Sequence, residues 1–221
     1  PWYLGETIIT GIGQGYIQST PLQLSLMTAQ IANGGYKIKP HIVLNKDINY
    51  EDISSIIKTD LEKYELSSNP KQLIDSNKHM LQEKNIGFYK PMYRNPENIK
   101  FVLEAMFAST NELYGTSFKS RHEDKKYQFA GKTGTSQVRR ITEAEREKDL
   151  KLSEIEYKNR DHALYIAFAP YKDPRYSISV LIEHGGSGSK AAAPLASKLI
   201  KKIIDRHQLR ELKRKKDTNL A

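Results

Sequence analysis

The 221-residue sequence contains no cysteine and no long apolar run, and each absence excludes a class of protein. Without cysteine the chain can form neither disulfides nor thiolate zinc sites, and it offers no cysteine nucleophile. No apolar stretch approaches the roughly 18 residues that a membrane-spanning helix needs. No secretory signal peptide is visible, and because the chain starts Pro-Trp-Tyr without methionine, we expect that an amino-terminal part is missing.

The formal net charge of +9 raises the question of a nucleic-acid partner. The excess is concentrated near the end of the chain, in Lys201-Lys202 and Arg210–Lys216. Such a segment is typical of a solvated tail, and adhesion to an anionic membrane surface is the alternative interpretation. Since no nucleic-acid-binding motif accompanies the charge, we expect no nucleic-acid partner and interpret 208–221 as a basic tail.

Two helices are predicted in the first half of the chain. The first begins with Thr20 as N-cap and Pro21 at its first position, and Gln23 completes a capping box. Gly34-Gly35 ends this helix. A second helix is predicted over 96–111. The apolar face of the first helix is expected to comprise Leu22, Leu26 and Ala29.

Three regions around these helices have other patterns. Residues 1–19 are rich in glycine, which indicates loop and short extended pieces. Residues 36–44 are typical of a strand, with Pro40 implying an edge or a bulge. Residues 45–95 are polar and show no strong period, so we interpret them as a peripheral insertion.

Strand patterns dominate the second half, over 127–138, 163–169 and 176–183. The last two strands form a predicted hairpin around Asp173-Pro174. A terminal amphipathic helix is expected over 191–207. Its apolar face should contain Leu195, Leu199 and Ile203, with Ile200 and Ile204 adjacent to it. This order of elements predicts an α+β fold, in which an antiparallel sheet is packed by amino- and carboxy-terminal helices.

The run Gly131–Gln137 (GKTGTSQ) lies on the first of these strands and carries polar side chains in a distinctive pattern. Side chains alternate along a strand, so Thr133 and Thr135 share one face while Lys132 and Gly134 share the other. Two hydroxyls on one face can bind a substrate carboxylate, and the lysine adds positive potential. Gly134 leaves space where a ligand backbone must approach closely.

The same strand offers two backbone functions. An extended peptide could pair with its free edge. The backbone N–H of Thr135 could then donate to a developing oxyanion, as acyl transfer requires. The alternative is an exposed polar strand with a chance K-T-G tripeptide, which the surrounding A-G-K-T-G-T-S-Q disfavours.

A K-T-G motif on a strand is a mark of the penicillin-recognising acyl-serine enzymes. The sequence resembles the carboxy-terminal part of class B penicillin-binding proteins of the elongation type, penicillin-binding protein 2. The resemblance covers most of the chain and is least clear over 45–95. The other segments that carry it are Pro1–Thr7, Gly11–Tyr16, Thr20–Leu24, 161–170, Glu183–Gly188 and Ala191–Pro194.

The resemblance implies a partial penicillin-binding transpeptidase fold over 1–207, and a peptidoglycan D,D-transpeptidase that cross-links stem peptides by acyl transfer and binds penicillin. Lys132 would be the motif lysine, and Thr133 and Thr135 the carboxylate-binding hydroxyls. The N–H of Thr135 would be the second oxyanion donor, with Gly134 and Ser136 also binding substrate. No cofactor and no metal are implied.

The resemblance also implies partners and a location. These are peptidoglycan stem peptides, penicillin and other β-lactams, a SEDS-family glycosyltransferase and elongation-machinery proteins. The expected location is the periplasmic side of the inner membrane, with an anchoring amino-terminal helix absent from this chain.

Such enzymes also need S-x-x-K and S-x-N motifs, and no S-x-x-K in this sequence stands in a position that could serve. We therefore expect the isolated chain to be inactive. Two alternatives remain at this stage: a non-catalytic remnant or interaction module from a split gene, and a fragment of a serine β-lactamase-like hydrolase.

Other candidate residues fit structural roles better. Gly11-x-Gly13-x-Gly15 lacks the spacing of a phosphate-binding loop. His184, before two glycines, is expected to shape a loop or the rim of the site rather than act as a base. No metal-ligand spacing with carboxylates is found for His41, His122, His162 or His207.

Overall fold

The computed structural model describes residues 2–38, 40, 88–139 and 152–218. These residues belong to two compact units, one formed by Pro1–Ala29 with Ala105–Ala221 and the other by Gln30–Glu104. The helices are α1 Leu4–Gly11, α2 Pro21–Ala32, α3 Pro96–Asn111 and α4 Ala193–Thr218; the strands are β1 Tyr36–Ile38, β2 Phe88–Pro91, β3 Ala130–Ser136, β4 His162–Ala169 and β5 Tyr176–Ile182. Helices plus antiparallel strands confirm the predicted α+β class.

Helix α1 overturns the prediction that residues 1–19 contain only loop and extended pieces. The Glu6 carboxylate accepts a hydrogen bond of 3.1 Å from the Tyr3 backbone N–H, which satisfies a donor at the helix start. Gly5 and Gly11 lower helix propensity but do not prevent the helix. No residue of α1 is buried among the described residues.

Helix α2 begins with the predicted capping box. The Thr20 N–H donates to Gln23 Oε1 at 2.8 Å, and the Gln23 N–H donates to Thr20 Oγ1 at 3.2 Å. Its apolar face differs from the prediction, since Leu22 is 68% exposed while Thr28 is fully buried. Thr28 is accommodated because its hydroxyl donates to the Leu24 carbonyl at 2.7 Å.

In the unit Gln30–Glu104, β1 pairs with β2 in antiparallel fashion. Strand β1 confirms the start of the predicted strand, whereas residues 41–44 lie outside the described residues. Strand β2 falls within the predicted insertion 45–95. Residues 45–87 of that insertion also lie outside the described residues. Gly34 and Gly35 both have positive φ and end α2, as expected.

The second sheet has the order β3-β4-β5 and is antiparallel throughout. This confirms the three predicted strands and the hairpin, in which the Arg175 N–H donates to the Ala169 carbonyl at 3.0 Å across the turn. The first strand starts later than predicted, because residues Lys125–Tyr127 form a 3₁₀ turn. That turn begins with the Asp124 side chain accepting from the Lys126 N–H.

Helix α4 packs on this sheet through a line of small and branched residues. Its buried face is formed by Ala193, Ala196, Ile200 and Ile204, which join the β4 alanines in one core. The prediction centred this face on the leucines, which was wrong, since Leu195 is 42% exposed, whereas Ile200 and Ile204, predicted to lie beside that face, are buried. Alanines allow the helix axis to approach the sheet closely, which offsets their smaller apolar area.

The terminal helix also runs past its predicted end at residue 207, to Thr218. No glycine or proline interrupts 208–218, and most of these residues are good helix formers. On this helix, Asp205 accepts hydrogen bonds from the Tyr127 hydroxyl and from Lys126 and Lys201. These partners, the Tyr127 hydroxyl foremost, lower the pKa of Asp205 from 3.8 to about 2.

Candidate functional site

All five predicted site residues lie on β3, in the order Lys132, Thr133, Gly134, Thr135 and Ser136. The register places Thr133 opposite Tyr165 and Thr135 opposite Ala163, both buried. Lys132, Thr135 and Ser136 are exposed, and the other two are half-buried. Among the described residues β3 pairs only with β4, so its second edge is unpaired there.

The Lys132 side chain lies along its own strand, towards the next residue. Its Nζ donates to the Thr133 carbonyl at 2.8 Å and to Thr133 Oγ1 at 3.4 Å. The Thr133 hydroxyl lies 3.4 Å from that of Thr116, which in turn lies 3.3 Å from that of Ser109. A row of polar side-chain groups therefore extends from the motif lysine to the end of α3. Sequence reasoning missed Thr116, because nothing in its local pattern marks it.

Beneath the motif strand lies a buried group of three hydroxyls. Tyr165 OH is 3.0 Å from both Thr110 Oγ1 and Ser117 Oγ, which are themselves 3.3 Å apart. Burial raises the pKa of Tyr165. The group links α3, the following loop and β4, so the partner strand of β3 is fixed by hydrogen bonds as well as by packing.

Tyr165 also explains the glycine that precedes the motif. A Cβ atom on Gly131 would lie 2.6 Å from Tyr165 Cζ and would collide with the phenolic oxygen. The backbone two residues before Gly131 is anchored nearby, since the Asn111 side chain donates to the Phe129 carbonyl at 2.9 Å. The A-G-K-T-G sequence therefore reflects a backbone pressed against a tyrosine ring.

A glycine-rich loop returns to the motif strand from the end of β5. Gly188 begins a π-helical turn, Gly188–Ala192, that leads into α4. A Cβ atom on Gly188 would lie 2.6 Å from the Gly134 carbonyl oxygen and would collide with the Leu164 carbonyl. Gly134, the second glycine of the motif strand, therefore lies against the backbone of the glycine-rich loop as well as beside the space that a ligand would need.

Two histidines meet where this loop leaves β5. The His184 N–H donates to His162 Nδ1 at 2.9 Å, and the two rings are inclined by 66° with their centroids 4.8 Å apart. His184 Nδ1 lies 3.0 Å from the Arg160 carbonyl, which can only accept, so this nitrogen carries a proton. The prediction that His184 shapes a loop agrees with these contacts. Its pairing with His162 was missed, because the two are far apart in the sequence.

The described residues contain no group of three or more His, Asp or Glu side chains that could hold a metal ion. Within the same part of the chain, no helix is both long and apolar enough to cross a membrane.

Comparisons with known proteins give matches over most of the chain. The sequence model of the penicillin binding protein transpeptidase domain matches residues 1–201. The chain is similar to the peptidoglycan D,D-transpeptidase MrdA of Salmonella typhimurium strain SL1344, with 33% identity over 204 residues. That alignment covers 92% of this chain but 28% of the relative, so the chain spans little more than a quarter of that protein's length.

Solved structures agree with the sequence matches. The fold is similar to the penicillin-binding protein PBP2 of Helicobacter pylori in complex with MreC, with a TM-score of 0.62 and 27% identity over 92% of this chain and 28% of that one. It is also similar to Pseudomonas aeruginosa PBP2 in complex with WCK 5153, with a TM-score of 0.56 and 29% identity over 90% of this chain and 32% of that one.

Proposed function

The chain belongs to the penicillin-binding protein transpeptidase family and is of the penicillin-binding protein 2 type, and from this premise we propose that β3 forms one wall of a peptidoglycan D,D-transpeptidase site. The observation that supports this most is the placement of the K-T-G-T-S run on a strand whose second edge is unpaired among the described residues. An extended peptide can add to such an edge as a further strand.

The proposed ligand is the carboxy-terminal end of a peptidoglycan stem peptide, and a β-lactam would occupy the same wall. The hydroxyls of Thr133 and Thr135 would donate to the ligand carboxylate, and the ammonium of Lys132 would add positive potential beside it. The backbone N–H of Thr135 would donate to the oxygen that gains charge during acyl transfer. Gly134 and Ser136 would line the path of the ligand backbone.

The proposal covers the substrate-binding wall and not the nucleophile. Acyl-serine enzymes take their nucleophilic serine from an S-x-x-K motif, and this sequence has none in a position that could serve. We therefore expect that the 221-residue chain alone forms no acyl-enzyme. A fluorescent penicillin should give no covalent band with it, and a stable adduct would contradict this expectation.

Partners and location follow from the same premise. We propose that the whole protein acts on the periplasmic side of the inner membrane, held there by an amino-terminal helix. The Helicobacter pylori relative has been solved in complex with MreC, which supports an elongation-machinery partner for this protein as well. A SEDS-family glycosyltransferase is the other partner that we propose.

A chimera tests the proposal directly. This chain would replace the aligned 204 residues of the Salmonella relative, so that the relative supplies the serine. We expect acylation by a fluorescent penicillin, and a loss of about 100-fold or more in its rate for Lys132→Ala. The thermal unfolding profile of each chimera shows whether it is folded. A folded, acylated chimera that is indifferent to Lys132→Ala would remove Lys132 from the site.

Thr135→Val provides a sharper test, because it removes the hydroxyl and keeps the backbone N–H. A hydrogen bond to a charged group contributes about 1.5–3 kcal/mol. Binding of a carboxylate substrate should therefore weaken by about 10- to 150-fold. The corresponding amide substrate should lose much less. An equal loss for the two substrates would show that Thr135 positions the backbone and does not contact the carboxylate.

The two remaining alternatives predict different outcomes. A serine β-lactamase-like hydrolase would release a hydrolysed penicillin rapidly, whereas a transpeptidase should retain the acyl group. A non-catalytic interaction module would give a folded chimera that penicillin does not acylate.

A further inference from the structure

The glycine-rich loop 183–188 is held against the start of β4, the strand that pairs with the motif strand, by a small set of hydrogen bonds. The Gly186 N–H donates to the Asp161 carbonyl at 2.8 Å, and the His184 N–H donates to His162 Nδ1 at 2.9 Å. The loop then delivers Gly188 to the Gly134 backbone. His162 is the one side chain among these acceptors, and it lies opposite Ser136 in the strand register.

His184 needs this support because its backbone is unusual. Its φ of +55° lies in the left-handed region, and it is the only described non-glycine residue there. A non-glycine residue in that region is strained and persists only where its surroundings fix it. Here the hydrogen bonds to His162 and to the Arg160 carbonyl fix it from two sides.

We propose that His162 is a positioning residue of the transpeptidase site, which in its neutral form holds loop 183–188 against the start of β4 and so keeps Gly188 at the Gly134 backbone of β3. This inference rests on the proposed function for its catalytic consequence. Nδ1 of His162 can accept the His184 N–H only while that nitrogen carries no proton. When the ring gains a second proton, Nδ1 becomes a donor that faces another donor. The loop should then release Gly188 from the Gly134 backbone.

The surroundings of the pair contain few charges that could substitute for this contact. Tyr157 packs on the His184 ring at 4.9 Å, and the Arg160 guanidinium lies 5.7 Å from the Tyr157 ring. Asp161 uses its carboxylate to accept from the Val138 N–H at 3.3 Å. Glu183 is the remaining acidic neighbour in the sequence. A protonated His162 would therefore gain no direct ion pair described here that restores the loop.

The first experiment measures the loop itself, in the 221-residue chain. Hydrogen-exchange protection of the His184 and Gly186 amides would be followed by NMR between pH 8 and pH 5, the interval in which histidines usually change charge. We expect protection to fall by about three- to tenfold towards pH 5, as one hydrogen bond is lost. His162→Leu, which offers no acceptor, should show the low value at every pH. His162→Asn, whose Oδ1 still accepts but does not titrate, should show the high value at every pH.

His122→Asn is the matched control, because His122 contacts Ser197 on α4 rather than the loop. It should leave the pH dependence of the two loop amides unchanged. Equal protection in the wild type and His162→Leu at pH 8 would overturn the proposal. A pH dependence that survives in His162→Asn would overturn it as well.

The second experiment measures acylation of the chimera by penicillin over the same pH range. We expect the acylation rate of the wild-type chimera to decline from pH 8 to pH 5. His162→Leu should lower this rate about three- to tenfold, and His162→Asn should remove its decline towards pH 5. A Lys132→Ala chimera separates the two hypotheses. If Lys132→Ala abolishes acylation while both His162 variants match the wild type, the role of His162 is refuted and the proposed function stands. If Lys132→Ala changes nothing, the proposed function fails, and the amide measurements still decide whether His162 holds the loop.

Discussion

The β3–β5 sheet with α4 and the amino-terminal segment 2–22 differ sharply in how their apolar side chains are placed. In the sheet, Ala163, Tyr165 and Ala167 are fully buried against the terminal helix. In the segment, large apolar side chains face solvent among the described residues. They include Trp2, Leu4, Ile8, Ile12, Tyr16, Ile17 and Leu22. One region contains its own packing partners, and the other does not within the described part of the chain.

This difference teaches where stability originates in the chain. Burial of apolar area contributes about 25 cal/mol per Å², so the sheet and α4 should account for most of the folding free energy. An apolar surface as extended as that of segment 2–22 is typical of an interface. Substitutions in the two regions should therefore have very different effects, and the following predictions test that contrast.

The largest effect is expected in the core. Ile200→Ala removes a side chain that is buried between α4 and the sheet, and such a change costs about 2–5 kcal/mol. Leu195→Ala, on the exposed side of the same helix, is the matched control and should cost about 1 kcal/mol. Urea unfolding of the chain measures both. Equal losses would show that the leucine face is covered in solution.

Two glycine substitutions, one in each region, give the second contrast. Gly131→Ala forces a methyl group into the Tyr165 ring, and overpacking of this kind costs about 1–3 kcal/mol. Gly5→Ala in α1 meets nothing within 4 Å and should stabilise the helix by up to about 1 kcal/mol. Opposite signs in the unfolding free energy would support the contrast. A Gly131→Ala variant as stable as the wild type would show that Tyr165 can move away from β3.

The third effect on stability is expected only at acidic pH. The pKa of Asp205 is lowered to about 2, so its stabilising contribution is complete above pH 4 and is lost as the pH falls from about 4 to about 2. Asp205→Asn should therefore flatten the acid limb of stability over this interval. Tyr127→Phe, which removes the strongest cause of the shift, should move the acid limb to higher pH. Thermal unfolding between pH 2 and pH 6 provides the measurement, and an unchanged acid limb in both variants would contradict the prediction.

The smallest effect is expected in the exposed segment. Ile12→Ser replaces a side chain that is 71% exposed, and surface substitutions usually change stability by less than about 0.5 kcal/mol. The same substitution in the chimera described above should cost more if the relative's remaining residues cover the segment. A loss above about 2 kcal/mol in the isolated chain would mean that segment 2–22 is already packed in solution, and the contrast between the two regions would then be wrong.

Local rules predicted the parts of this fold in which neighbouring residues decide the structure. The capping box of Thr20 and Gln23 and the hairpin of β4 and β5 are of this kind. Helix α1 was missed because its glycines favour a loop by propensity, and strand β2 because the sequence around it has no period. The buried face of α4 was misjudged because hydrophobicity favours Leu195, whereas close approach to the sheet favours Ala196.

The candidate site likewise has one part that the local sequence predicts and another part that only the fold brings together. The five consecutive motif residues were predicted to lie on one strand and they do, although that strand is shorter at both ends than predicted. Thr116, Tyr165 and the pair His162–His184 could not be predicted, because folding alone brings them to the strand across long stretches of sequence. Gly131 and Gly188 look like ordinary flexible positions until the tyrosine ring and the facing backbone are known.

The unpaired edge of β3 among the described residues has a consequence for solubility. An edge that is open to a peptide ligand is also open to a strand of another copy, which is the usual first step in sheet-to-sheet aggregation. Lysine is a residue that natural edge strands use against such pairing, and Lys132 stands on this edge strand, exposed. We therefore expect its charge to disfavour self-association of the strand, so Lys132→Ala should aggregate at lower protein concentration than the wild type, which light scattering would detect.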